Sequence, residues 1–169
     1  MEKEFTYCPK CGIALAPRND EGRRRMVCPA CGFVQYINPA PAAGILVREG
    51  DSVLLVQRRF EPYRGLWVVP SGFIEYGEDV RDTAVREVRE ETGLAVEIDS
   101  LHAVESCRDD PRGNTVLVLY SGHVVGGELR AGDDAIDVGF FPLLDVPGIA
   151  FACQRRILRA LQCEARDRG

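Results

Sequence analysis

The 23 residues from Gly72 to Leu94, GFIEYGEDVRDTAVREVREETGL, gather seven acidic side chains in one short segment. Apolar residues recur at helical spacing from Val80 onward and Gly93 suits a C-terminal cap, so a helix is predicted there. With Glu87 set at zero on a wheel of about 100° per residue, Val80, Ala84 and Val88 fall near 20°, 60° and 100°, Glu91 near 40° and Glu90 near −60°. Glu91 therefore lies inside the apolar stripe, where an unpaired charge costs several kcal/mol or is neutralised. Glu87, Glu90 and Glu91 share an arc of about 100° and can converge on a single point. A hard divalent cation, Mg²⁺ or Mn²⁺, is the expected counter-charge, because such ions prefer carboxylate oxygens. Arg86 precedes Glu90 by four residues and reaches it along the helix, while Glu78 suits the positive end of the helix dipole and can also reach Arg86. Taken alone, the segment also fits a solvated, charge-rich helix with incidental ion pairs.

The seven cysteines divide into two groups. Cys8, Cys11, Cys28 and Cys31 form the knuckles CPKCG and CPACG, separated by sixteen residues. Each CxxC turn points two thiolates at one centre, and the two together can supply four tetrahedral ligands to one Zn²⁺, a pair of redox dithiols being the alternative. Four thiolates leave no open coordination position, so this zinc is expected to be structural, replacing a hydrophobic core in a short segment. Cys107, Cys153 and Cys163 are expected to be free, largely buried thiols. Arg23, Arg24 and Arg25 follow turn residues between the knuckles and are expected on a solvated hairpin, with a phosphate or partner contact as the alternative.

Asn38-Pro39-Ala40-Pro41 reads as a stiff junction, dividing a zinc ribbon at residues 1–37 from a second domain at 38–169. In that domain AAGILVRE and SVLLVQRR are strands joined at Gly50-Asp51, and LWVVP is a short strand. Beyond the acidic helix, LAVEIDSLHAVES, NTVLVLYSGHVV and DVGFF are further strands, and IAFACQRRILRALQCEAR is a closing helix. Strands and helices mix without a regular βαβ alternation, which predicts a mixed sheet flanked by helices. The formal net charge of −5 argues against nucleic acid as the main partner. No apolar run is long enough to span a bilayer, and the N-terminus lacks a signal or transit pattern, so a cytoplasmic location without membrane partners is expected.

Gly72, Glu78, Arg86-Glu87, Glu90-Glu91 and Gly93-Leu94 stand at the spacing of the Nudix box, and the segment resembles that box at every defined position. RGLWVVPSG before it and AGDDAIDVGFFPLLDVP after it resemble the family's flanks, and the ribbon followed by Ile37-Asn38-Pro39 resembles a ribbon-bearing subset that includes the NADH pyrophosphatases. The resemblance implies an α+β fold, an α/β/α sandwich with a mixed sheet, and Mg²⁺-dependent hydrolysis of a pyrophosphate linking a nucleoside to another moiety. It further implies Glu87, Glu90 and Glu91 as Mg²⁺ or Mn²⁺ ligands, with the Gly72 carbonyl as a further one. Arg86 would orient a ligating glutamate and Glu78 would support Arg86. A homodimer is expected on the same ground.

The general base varies within the family; Glu91, Asp133, Asp134, Asp137, Asp109 and Asp110 are the candidates, each aspartate equally readable as a turn residue. The SQPWPFP-type signature of NADH pyrophosphatases is absent, and Pro111, seventeen residues past Leu94, lies slightly beyond the spacing associated with ADP-ribose hydrolases. Tyr63, Arg64, Trp67, Phe73 and Asp134 are the candidate substrate contacts, Phe60 being a further aromatic; core packing is the alternative for Trp67 and Tyr63. ADP-ribose, FAD or NADH is the expected type of substrate. A pyrophosphatase sanitising nucleoside triphosphates is the enzymatic alternative. A nucleotide-sensing regulator with a partner-binding ribbon is the non-catalytic one.

Overall fold

The computed structural model describes residues 4–132 and 134–167; Asp133, one of the general-base candidates, lies outside them. The chain forms two compact units, Met1–Pro39 and Ala40–Gly169.

In the first unit an antiparallel sheet is built in the order β1 (Ala16–Asp20), β2 (Arg23–Val27), β3 (Val34–Gln35). The two knuckles have the same backbone geometry. Gly12 N–H donates to Cys8 O at 2.9 Å and Gly32 N–H to Cys28 O at 3.0 Å. Both glycines take a left-handed φ, 73° and 74°, which a side chain would oppose. Cys8 and Cys28 are buried with Leu15 in a small cluster, against which Met26 and Phe33 pack. Arg25 stacks over the Tyr36 ring at 4.5 Å and pairs with Asp20 at 3.3 Å, so part of the basic triplet is engaged within its own sheet.

The second unit is a mixed sheet between two helices. Its strands are β4 (Ala40–Glu49), β5 (Ser52–Arg58), β6 (Trp67–Val68), β7 (Ser71–Phe73), β8 (Leu94–Cys107), β9 (Thr115–Gly127) and β10 (Ala135–Pro142). The main order is β10-β5-β4-β9-β8, with β6 on β5 and β7 on β4. Only the β4–β9 pairing is parallel among those described, and the rest are antiparallel.

Helices α1 (Val80–Thr92) and α2 (Ala152–Asp167) cover opposite faces because β4 and β5 alternate apolar side chains to both sides. Ala43, Ile45, Val47 and Leu54 pack with Ala84 and Val88 of α1. Ala42, Leu46, Val53 and Leu55 pack with Ile157, Leu158 and Leu161 of α2. Each Val, Leu or Ile among them withdrawn from water contributes about 1.5–3 kcal/mol before chain entropy is set against it. The mixed sheet and flanking helices read from the sequence are the architecture observed. No helix among the described residues is long and apolar enough to cross a membrane.

One expectation is corrected. Cys107 and Cys153 are not free thiols but a disulfide joining the end of β8 to the first turn of α2; Cys163 is free but exposed. The sequence places the two cysteines 46 residues apart, and only the packing of α2 against the sheet brings them together. Trp67, a candidate substrate contact whose alternative is core packing, is half-buried. Its ring packs edge-on against Phe141, 4.6 Å between centroids, at the core beneath α2.

Candidate active site

Helix α1 starts at Asp79, whose carboxylate accepts from Arg81 N–H at 2.8 Å, and ends at Gly93, whose φ of 74° lets its N–H reach Arg89 O at 2.9 Å. These caps fix the register that presents the acidic residues. Arg86 is the hub. Its Nε and Nη2 donate to Glu78 Oε1 and Oε2 at 2.7 and 3.0 Å, and Nη1 donates to Glu87 Oε1 at 2.7 Å and Glu90 Oε2 at 2.9 Å. Nη2 also reaches Phe73 O at 3.3 Å. A rigid guanidinium fork suits this arrangement, since its donors lie in one plane and can serve several acceptors at once. Glu78 is held by Arg86, further helped by Thr83, and its carboxyl is pulled down to about 2.

Glu91 is placed differently. It accepts from Ser71 N–H at 3.1 Å, on the strand leading into the helix. Burial pushes its carboxyl up to about 8, with the Glu87 and Asp134 charges adding to the effect. Burial also raises Glu87, partly offset by Arg86. Two carboxyls are thus set where ionisation is opposed by their surroundings, and a divalent cation is the group whose charge would relieve both.

Gly72 faces this pair so closely that a Cβ there would lie 2.2 Å from Glu87 Cδ. Glycine leaves room for the Glu87 carboxylate at its present position beside the strand, and a larger residue would have to displace it. The donor set of hard oxygens and the cradle at Gly72 fit a Mg²⁺ or Mn²⁺ ion. Glu87 and Glu90 are turned toward Arg86 rather than toward a shared point with Glu91, so the convergence read from the helical wheel is divided between two partners.

Two cavities adjoin the acidic residues. One, of about 360 Å³, is bordered by Arg58, Phe60, Phe73, Asp110, Arg112 and Gln154. The other is a wide groove bordered by Arg86, Arg89, Glu90 and Arg130. Glu87, Glu91 and Asp134 border both. Asp134 is held in place by its neighbours: Arg59 N–H donates to Asp134 O at 3.1 Å, the Arg59 side chain donates twice to Ala135 O, and Gly132 N–H donates to Glu91 O at 3.0 Å.

Of the substrate contacts anticipated, Phe73 and Asp134 border the first cavity, as does Phe60. Tyr63 packs edge-on against Phe151 and donates its hydroxyl hydrogen to Asp109 O, and Arg64 is exposed away from both cavities. Among the base candidates, Asp109 caps α2 by accepting from Ala152 N–H at 2.7 Å, Asp110 is gripped by Arg112, and Asp137 accepts from its neighbour Val138 N–H. Glu91 and Asp134 are the described candidates that reach the acidic cluster.

Three residues at the site carry no local signal. Arg58 donates to Pro62 O at 2.9 Å and lies over the Phe151 ring at 5.2 Å, and its burial lowers its pKa. Arg112 holds both oxygens of Asp110, Nε donating to Oδ1 at 3.0 Å and Nη2 to Oδ2 at 2.7 Å. For Asp110, burial works to raise the pKa and the Arg112 bonds outweigh it, leaving it low. Gln154, buried on α2, accepts from Val69 N–H at 2.8 Å and donates to Val69 O and Ser71 Oγ, both at 3.3 Å, so the closing helix clamps the strand that enters the acidic segment.

In the first unit the four cysteine sulphurs lie within 4.8 Å of one another. Within this cluster the backbone N–H of Cys31 lowers the Cys28 thiol, while at Cys11 the lowering effect of the Ile13 backbone is outweighed by the neighbouring cysteines, which raise it, so one thiolate forms readily and the crowding of sulphurs opposes the next. Their donor set, number and spacing fit a closed tetrahedral zinc site.

The protein is thus a mixed sheet between two helices that carries an Arg-centred acidic cluster at the strand-to-helix junction. The NUDIX domain family matches residues 38–161, and the Nudix N-terminal zinc ribbon matches residues 6–37. This chain belongs to the Nudix hydrolase family. It is similar to an ADP-ribose pyrophosphatase of Methanocaldococcus jannaschii, 42% identical over 117 residues that make up 69% of each protein. It is also similar to the NAD-capped RNA hydrolase NudC of Pseudomonas aeruginosa, 36% identical over 92% of this chain and 53% of the relative. The chain thus spans about half the length of that relative. A crystal structure of a NUDIX hydrolase from Nitrosomonas europaea superposes with a TM-score of 0.79 at 31% identity, covering 92% of this chain and 89% of the other.

Proposed function

We propose that this chain hydrolyses the pyrophosphate of a nucleoside diphosphate joined to a second moiety, with ADP-ribose as the foremost substrate, in a Mg²⁺-dependent reaction. The observation that carries this reading is the meeting of two cavities at Glu87, Glu91 and Asp134. A pyrophosphate lying against those residues has room for a bulky group on each side. A nucleoside triphosphate would fill only one. The similarity to an ADP-ribose pyrophosphatase supports the same choice.

In this reading Glu87, Glu90, Glu91 and the Gly72 carbonyl hold the cation, with Mn²⁺ able to replace Mg²⁺. When bound, the ion neutralises charge on the phosphates and lowers the pKa of a water. Arg86 orients Glu87 and Glu90, and Glu78 holds Arg86. Asp134, exposed and bordering both cavities, takes the proton of the attacking water. Arg58 and Arg112 supply positive charge along the first cavity, and Phe60 and Phe73 offer aromatic faces to a base. The four-cysteine site holds structural zinc, and the boundary between ribbon and hydrolase domain falls at 37/38. A cytoplasmic location and a homodimer belong to the same reading.

A second reading, hydrolysis of the NAD cap of RNA, is favoured by similarity to NudC that runs through the ribbon as well as the hydrolase domain. Product analysis separates the readings. ADP-ribose, NADH, FAD, nucleoside triphosphates and NAD-capped RNA are incubated with Mg²⁺ and either the native chain or Glu91→Gln. AMP and ribose 5-phosphate released fastest from ADP-ribose, and lost in Glu91→Gln, is the expected result. Free pyrophosphate from triphosphates, or decapping faster than any small-molecule cleavage, would replace it.

A further inference from the structure

The disulfide between Cys107 and Cys153 borders the same cavity as Glu87, Glu91 and Asp110. Both cysteines are buried among the apolar residues beneath α2, with exposures of 6% and 1%, so the cavity is the approach by which a small reagent meets them. Cys107 ends β8, and the residues that follow it, 108–114, form a loop whose Asp110 and Arg112 border the cavity.

That loop is tied down at its root. The disulfide fixes Cys107 to α2, the Asp109 carboxylate accepts from Ala152 N–H at 2.7 Å and Arg155 Nη2 at 3.4 Å, and the Tyr63 hydroxyl donates to Asp109 O. At its far end Ala40 N–H donates to Asn114 O at 2.9 Å. The covalent tie is the one of these that chemistry can open without unfolding the chain. Two thiols cannot approach as closely as two bonded sulphurs, and in a packed interior that separation must be taken up by the loop or by the first turn of α2.

We infer that Cys107 and Cys153 form a redox-modified site in the wall of the substrate cavity, through which a small dithiol weakens substrate binding and a small disulfide restores it. The coupling to substrate rests on the reading that this cavity receives the substrate. In the reducing direction one thiolate of the dithiol attacks a sulphur of the pair and releases the other as a thiolate, forming a mixed disulfide. The second thiol of the reagent then displaces the remaining cysteine. The pair gains two electrons and two protons, and the dithiol becomes a disulfide. Reoxidation is the same exchange in reverse. A ligand in the cavity both contacts the ordered loop and blocks the approach, so occupancy slows reduction. The contacts that a ligand makes with the loop as the disulfide orders it are lost when the loop shifts, and by linkage that difference in binding free energy lowers affinity in the reduced state.

The test uses the full chain with its zinc retained, in the oxidised state and after dithiothreitol. Thiols at Cys107 and Cys153 are counted by alkylation and peptide mass, which separates them from the ribbon cysteines. Three results are expected: faster amide hydrogen exchange in 108–114 on reduction, slower reduction when AMP is present, and a KM for ADP-ribose raised by about 5-fold or more with kcat changed less. The double variant Cys107→Ser/Cys153→Ser should show the raised KM and ignore dithiothreitol. Unchanged exchange in the loop, equal KM in states whose thiol counts differ, or a chain whose pair never oxidises with a small disulfide would each overturn the inference. Loss of all hydrolysis in both states, with the exchange difference intact, would instead count against the proposed reaction while leaving the redox-controlled loop standing.

Discussion

Arg86 grips both carboxylate oxygens of Glu78, through Nε at 2.7 Å and Nη2 at 3.0 Å, and this fork leaves Nη1 free to hold Glu87 and Glu90. One guanidinium therefore sets three acidic side chains.

Replacing Arg86 with lysine keeps a charge but loses the planar fork. A Lys at this position cannot hold Glu78 by two bonds and still serve Glu87 and Glu90. Misplacing ligating groups by about 1 Å costs on the order of 100-fold in rate. Arg86→Lys is expected to lower kcat by about that factor and to raise the Mg²⁺ concentration for half-maximal rate; steady-state kinetics against Mg²⁺ reads both.

At Gly72 the argument is steric. A methyl group 2.2 Å from Glu87 Cδ cannot coexist with the present carboxylate position. Gly72→Ala should leave the protein folded by circular dichroism while reducing turnover by about 100-fold. Turnover within a factor of two of the native chain would contradict the proposed cradle.

The Glu91 carboxyl titrates at about 8 in the folded chain against an ordinary value of 4.5, because burial disfavours its charge. A folded-state pKa above the unfolded one stabilises the fold below the unfolded value, and that contribution disappears as pH rises through the folded value. In Mg²⁺-free buffer, stability from this group should decline between pH about 4.5 and 8. Glu78 contributes in the opposite sense, its stabilisation present above 4.5 and lost as pH falls toward about 2. Glu91→Gln should therefore match the native chain near pH 4 and exceed it at pH 8.5 by at least ~1 kcal/mol, or about 2–4 °C in Tm for a chain of this size. Thermal melts across that range check the sign.

Gln154 leaves a buried donor without a partner if it is truncated. Its side chain serves the N–H and carbonyl of Val69 and the Ser71 hydroxyl. Gln154→Ala should cost about 1–3 kcal/mol of stability from the orphaned Val69 groups, read by urea denaturation. It should also lower kcat, since Ser71 N–H is the donor that meets Glu91.

In the first unit, Cys28→Ser removes one of four sulphurs clustered within 4.8 Å. With so small an apolar cluster beneath the knuckles, a zinc bound there would supply much of the folding free energy. Zinc content measured by mass spectrometry should fall from one equivalent to near none, with loss of ordered structure in residues 6–37 and retention of structure in the second unit.

The sequence by itself determined what depends on short spacings. The helix from Val80 to Thr92, the placement of Glu91 in its apolar stripe, the Arg86–Glu90 reach and the two knuckles each lie within a few residues of chain, where backbone geometry alone decides which side chains meet. The apolar run AAGILVRE likewise announced the strand that became β4. Tertiary structure decided the rest. Gln154 meets Val69 across 85 residues of chain and Cys107 meets Cys153 across 46. Trp67 turned to the core because Phe141 lies there, and Arg58 with Arg112 became cavity walls because β5 and the loop after β8 end side by side. Such contacts depend on how α2 and the sheet pack, and packing is a property of the whole apolar interior that no local period encodes.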